Sequence, residues 1–191
     1  TIWRGTCGNP RGWWLAVALA AAVPMALPAT TAAQEFPPVV EEPAPSVSVG
    51  DAEAGELHGG VELPALAPGL QRLSVVAGRG TGWGTRELVE YLLRTAATLA
   101  ADPQHAGVPL RVGNLSRRDG GDLKWSHSHG SGRDVDLLLY LLDADGAPVA
   151  PDGFVALDAA GCGRMKRRRP VSFDVPRTWN LVRTLLADTQ V

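Results

Sequence analysis

Two carboxylates, Asp134 and Asp136, stand at the entry of an almost unbroken apolar run, within Trp125–Leu142, WSHSHGSGRDVDLLLYLL. A charged carboxylate taken into a protein interior without a partner is very costly. The run can therefore become a core strand only if a cation, a metal ion or solvent meets its acids. Read as a strand, it places Val135, Leu137, Leu139 and Leu141 on one face, which is core, and Asp134, Asp136, Leu138 and Tyr140 on the other. His127 and His129 precede the acids across a glycine-rich turn that can fold them back. Neutral imidazole and carboxylate are a ligand pair that suits zinc. From the residues alone three readings stand: a metal site, a polar loop whose acids are hydrated or paired with Arg133, and a phosphate cradle on GSGR. The cradle is the weakest, because no helix follows to offer its amino end. The His-x-His of eight-stranded-barrel hydrolases is excluded: there the histidines end a strand, and 191 residues are too few for such a barrel.

The chain around this stretch divides by composition. Arg4 and Arg11 precede the apolar GWWLAVALAAAVPMALPA, and TTAAQE offers small residues for cleavage, so residues 1–33 read as an export signal cut after Ala33. The unbroken apolar run Trp13–Val23 is shorter than the roughly 20 residues a membrane span needs, so no stable insertion is expected after cleavage. Residues 34–60 are rich in proline, glutamate and serine without apolar period, and read as a disordered linker in which His58 is a solvated bystander. The folded domain is expected over 61–191. A net charge of −2 gives no basic field for nucleic acid. One local run, RMKRRR at Arg164–Arg169, reads as a solvated basic loop, with contact to an anionic wall polymer as the alternative. Cys7 falls in the signal, which leaves Cys162 as a free thiol or half of a bridge to something outside the domain.

Within the domain, Leu70–Gly78, Val108–Ser116 and Val135–Leu141 read as strands. A helix capped by Thr85 puts Leu88, Tyr91, Leu92, Ala96 and Leu99 on one face and ends at Asp102-Pro103. His105 follows as a surface histidine. A last helix enters near Asp174, with Trp179, Val182, Leu185 and Leu186 inward. Helices and strands in irregular order predict an α+β domain, a small antiparallel sheet with flanking helices.

The segment VGNLSRRDGGDLKWSHSHGSGRDVDLLLY, Val112–Tyr140, resembles the penicillin-insensitive murein endopeptidases, zinc peptidases of the wider group that includes lysostaphin-type and D-Ala-D-Ala peptidases. FDVPRTWNLVRTLL is similar to that family's later helix, so the likeness runs from Leu70 to Val191. It implies a lysostaphin/D-Ala-D-Ala-peptidase-like fold, zinc as cofactor, and His129 and Asp136 as metal ligands. His127, Ser128, Arg133 and Asp134 take orienting or substrate-facing roles in the same resemblance. The family completes its site with a later His-x-His that supplies the third ligand and the general base. No histidine follows His129, so no catalytic base is identified, and the expectation is a domain truncated at its C-terminus and inactive as it stands. For the intact protein the resemblance implies hydrolysis of D-alanyl–meso-diaminopimelyl cross-links in peptidoglycan, outside the cytoplasmic membrane in the periplasm. The alternative is a non-catalytic, zinc-containing wall-binding module.

Overall fold

In the computed structural model, residues 45–189 are described, and the expected signal, its cleavage point and the first part of the expected linker lie outside them. The helix Arg86–Ala101 (α2) forms as its sequence demands. The Thr85 hydroxyl accepts the Leu88 amide, Glu87 lies in the first turn, and Val89, Leu92, Thr95, Ala96 and Leu99 are buried. Pro103 ends it. The buried face meets Leu63, Leu70, Leu110, Val112, Leu115, Tyr140 and Leu181, which together make the main core.

Around α2 the strands are short: β1 Val47–Val49, β2 Glu56–His58, β3 Val61–Glu62, β4 Leu66–Ala67, β5 Leu70–Arg72, β6 Trp83–Gly84 and β7 Leu110–Val112. After the candidate site come β8 Leu141–Leu142, β9 Pro148–Val149, β10 Cys162–Arg164 and β11 Pro170–Phe173. They form two pairs, β1–β2 and β3–β6, a three-stranded sheet β4-β5-β7, and a four-stranded sheet β10-β11-β8-β9. All pairings are antiparallel except β5 with β7, which α2 connects as a crossover. The class is α+β, as expected, though the strands are shared among several small sheets. No described helix is long and apolar enough to cross a membrane.

Several expectations are corrected. Residues 45–60 are not a disordered linker in their described part: β1 and β2 pair in register, Val47 with His58 and Val49 with Glu56. Leu57, 1% exposed, anchors the hairpin, and the Asp51 carboxylate takes the Glu53 and Ala54 amides to close its turn. One apolar anchor in strands of three residues leaves no period to read. Leu70–Gly78 is not one strand. It is β5 followed by a short helix, Ser74–Arg79 (α1), which closes on Gly80 in the left-handed conformation at φ 67°.

Val135–Leu141 is not a regular strand either. It runs beside residues 111–114 through Gly113 N–H to Asp136 O, Asp136 N–H to Asn114 O and Leu138 N–H to Arg111 O. Its inward face also differs: Leu138 and Tyr140 are buried, whereas Leu139 is 45% exposed. The segment is gripped from both sides, with Leu138 against Leu73 and Val76 and Tyr140 in the main core, so simple alternation does not decide its inside.

The last helix, Val175–Ala187 (α3), starts where expected, with the Asp174 carboxylate accepting the Arg177 amide. Its inward face is turned by one residue, or about 100°. Thr178, Asn180 and Leu181 are buried, while Trp179 and Leu186 are exposed. Polar contacts set this rotation: Thr178 Oγ1 accepts the Tyr140 amide, and Asn180 Nδ2 donates to Asp102 at 2.7 Å. His105 is correspondingly a core residue, not a surface one. It is 3% exposed, lies edge-on to Tyr140, and has Nε2 3.2 Å from Asn180 Nδ2. Burial holds its pKa below the usual histidine value. Cys162, on β10, is not a free thiol.

Candidate active site

The turn 127–133 is built by close backbone approach. A side chain on Gly130 would come within 2.7 Å of Ala52 O and 2.8 Å of Glu53 O, so only glycine lets the turn lie on the β1–β2 hairpin. Gly130 N–H donates to Ala52 O, Ser48 Oγ to Ser131 O at 2.6 Å, and Arg133 Nη2 to Gly50 O at 2.7 Å. The segment that reads as a linker is thus the brace of the site loop. His129 itself is left-handed, at φ 74°, a conformation that costs a non-glycine residue about 1–2 kcal/mol. Asp134 Oδ2 helps hold it by accepting the His129 amide at 3.2 Å.

This backbone delivers the His129 ring, 4% exposed, to Asp136: Nε2 lies 3.3 Å from Oδ1. The second carboxylate oxygen, Oδ2, accepts from Asn114 Nδ2 at 2.8 Å. Asn114 is 2% exposed, and its Oδ1 takes the Thr81 hydroxyl at 2.9 Å and Arg79 Nη1 at 3.3 Å. Because Arg79 can only donate, the amide must present oxygen to it and nitrogen to Asp136. The Arg79 guanidinium also stacks on the Trp125 ring at 4.5 Å. The cation linked to the acids is therefore Arg79 through Asn114, not the neighbouring Arg133.

The hydrogen bond to Asp136, opposed by burial, raises the pKa of His129. At Asp136 burial works upward, but hydrogen bonds from His129 and Asn114 outweigh it and hold the carboxyl below its usual range. The two are thus hydrogen-bonded to each other, and they make an ion pair when His129 is protonated. His129 Nδ1 and Ser131 Oγ are buried with no hydrogen-bond partner among the described residues.

The remaining expected residues are dispersed. His127 has a 98% exposed side chain and pairs with Glu53 at 2.9 Å. Ser128 is half-buried and bonds within the turn to Ser126. Arg133 grips the hairpin. Sequence reasoning missed Asn114, Thr81 and Arg79. An asparagine inside the apolar VGNL run was the available signal, since a polar residue flanked by core residues must be hydrogen-bonded when buried.

The pair suits zinc in donor type and spacing. Tetrahedral ligands about 2.05 Å from zinc stand about 3.3 Å apart, the separation of Nε2 and Oδ1. A catalytic zinc takes three protein ligands. Among the described residues there is no cluster of three or more His, Cys, Asp or Glu that could hold a metal.

The α+β domain thus brings a buried imidazole to a half-buried carboxylate behind a glycine turn, with the second carboxylate oxygen held by an amide. Residues 48–150 match the family model of the penicillin-insensitive murein endopeptidases, a span that holds the hairpin, Asn114, His129 and Asp136. The chain belongs to that family. Membership implies murein endopeptidase activity, peptidoglycan as substrate, and a cell-wall or periplasmic location. Comparison with curated proteins returned no match.

Proposed function

We propose that the protein is a zinc-dependent murein endopeptidase that hydrolyses D-alanyl–meso-diaminopimelyl cross-links, with His129 and Asp136 as metal ligands. The observation that carries this reading is the 3.3 Å approach of His129 Nε2 to Asp136 Oδ1 within the matched residues. When bound, zinc supplies Lewis acidity, which polarises the scissile carbonyl and acidifies water. The protein's own residues fix the geometry. Asn114 occupies Oδ2, so Oδ1 is the oxygen left for the metal. Asp134 holds the strained backbone that aims the imidazole. Thr81 and Arg79 keep Asn114 from rotating.

The test is elemental analysis and muropeptide cleavage on the same preparations of the intact protein, the form for which the resemblance implies a third ligand and a base. His129→Ala and Asp136→Ala should each lose zinc and cleavage together. Full zinc in the Asp136 variant would overturn the assignment. A wild type that binds zinc and peptidoglycan yet releases no muropeptide would be the non-catalytic wall-binding module. Export through cleavage after Ala33 belongs to the same proposal, and amino-terminal sequencing of the secreted protein should begin at Gln34.

A further inference from the structure

The segment between β9 and β11 carries a second feature beside the site. A hollow of about 400 Å³ is bounded by Phe154, Arg164, Lys166, Arg167 and Arg169, with Asp152 its one acid. All four cations are exposed, and none is ion-paired among the described residues. Asp152 does not neutralise them, because its carboxylate is turned to the buried Arg111 guanidinium at 3.7 Å. Arg111 also donates to Pro151 O at 3.0 Å and so pins the chain leading to Phe154. Like charges gathered around one concavity repel each other and raise the local concentration of anions.

The hollow adjoins the His129–Asp136 pair. A side chain on Gly113 would meet Asp136 Cβ and Phe154 Cζ, each at 2.8 Å, so both residues flank one glycine. Phe154 is 56% exposed and so is open to a ligand. Beyond it lies a smaller apolar hollow of about 110 Å³ that includes Leu139, Val155 and Leu157. Phe154 lines both hollows and so stands where the cations and the aliphatic side chains meet. The cationic residues lie outside the matched span 48–150.

We propose that this hollow is the carboxylate-binding subsite for the peptide stem of murein, with Phe154 packing on the stem between the cations and the His129–Asp136 pair. The inference rests on the murein-endopeptidase reading. Stem peptides join free carboxylates to small methyl groups, which fits cations flanked by an exposed ring and an aliphatic hollow. A phosphate-rich polymer would use the cations but have no need of the ring. Nucleic acid is disfavoured by the net charge of −2.

The test is direct binding, by calorimetry, of a soluble muropeptide with free carboxylates and of the same muropeptide with them amidated. Lys166→Glu/Arg167→Glu alters only exposed side chains and should weaken binding of the free-acid ligand at least tenfold. Amidation should weaken wild-type binding by a similar factor, and the two losses should not add, because they remove the same contact. Arg86→Glu, a charge reversal of the same kind at one position at the start of α2, should alter affinity less than twofold. Wild type treated with a chelator should retain most of the binding, so failure of the zinc assignment is distinguishable from failure of the subsite. Binding unchanged in the double variant, or unaffected by amidation, overturns the subsite alone. Tighter binding of a glycerol-phosphate polymer than of the peptide would overturn it as well. A wild type that binds no muropeptide sinks both the subsite and the reading beneath it.

Discussion

Removal of the Asn114 side chain tests whether the site is held from behind. Asn114→Ala deletes the 2.8 Å bond to Asp136 and the acceptor of the Thr81 hydroxyl. A hydrogen bond to a charged group contributes about 1.5–3 kcal/mol, and the Asp136 side chain is 34% exposed, so water recovers part of it and the lower end applies. Thr81 is 0% exposed, and leaving its hydroxyl unpaired adds about 1–3 kcal/mol. The sum is about 3 kcal/mol, which lowers the melting temperature by roughly 6–12 °C for a domain of this size. Zinc affinity should fall about 10–100-fold, the usual effect of losing a residue that orients a ligand. Asn114→Asp keeps an acceptor for Thr81 and Arg79 but sets a carboxylate against Asp136. It should be at least as damaging at neutral pH and partly recover on acidification. Denaturant melts and chelator competition for zinc measure both quantities. An alanine variant within about 1 kcal/mol of wild type and twofold in zinc affinity would refute the argument, because the amide would then be packing rather than positioning.

Further expectations concern the loop and the core. His127→Ala should keep full zinc and change stability by less than about 0.5 kcal/mol, since its pair with Glu53 is exposed; loss of zinc would mean that the two histidines have exchanged roles. Gly130→Ala drives a methyl into backbone oxygens at 2.7 and 2.8 Å that cannot swing aside, so it should cost about 1–3 kcal/mol and make residues 50–55 cleavable by protease. Two histidines should give the metal-free protein opposite pH slopes on either side of about 6.5, the unfolded value. Burial depresses the pKa of His105, so below about 6.5 the unfolded chain binds the extra proton and stability falls with acid. The bond to Asp136 raises that of His129, whose stabilisation is complete below about 6.5 and is lost as pH rises through the folded value. Melts of His105→Gln should lose only the acid slope.

Legibility followed the length over which a residue pattern had to be read. The long helix α2 was plain, because a threonine cap, five apolar positions at helical spacing and a terminating proline all agree. His129 and Asp136 were legible because seven residues and a glycine turn bring them together locally, whereas their support comes from Asn114, Thr81 and Arg79 in other elements. Arg133 was the obvious counter-charge by sequence and turned out to serve the hairpin instead. The α3 face was misjudged by hydrophobicity: Trp179 and Leu186 look like core, but hydrogen bonds made by Thr178 and Asn180 to buried partners fix the rotation. Strands of two or three residues carry too little alternation to be seen at all, which is why β1 and β2 escaped.

The bracing of the 127–133 turn by the β1–β2 hairpin has an entropic corollary. Glu53 and His127 are 74 positions apart, and closing a loop of that length in an otherwise unfolded chain costs about 4 kcal/mol. An exposed ion pair returns less than about 1 kcal/mol, so it cannot draw the two segments together. Leu57 lies where a Cβ on Gly132 would strike it, and this buried contact exists only once the intervening helix and sheets have shortened the loop. The geometry around His129 is therefore expected to order late, and a Leu57→Ala φ-value near zero would show it. A fluctuation that lifts the hairpin removes the bonds to Ala52, Ser48 and Gly50 at once, and leaves the turn held by Gly121 N–H on Gly130 O, Thr85 N–H on Gly132 O and the Asp134 carboxylate on the His129 amide.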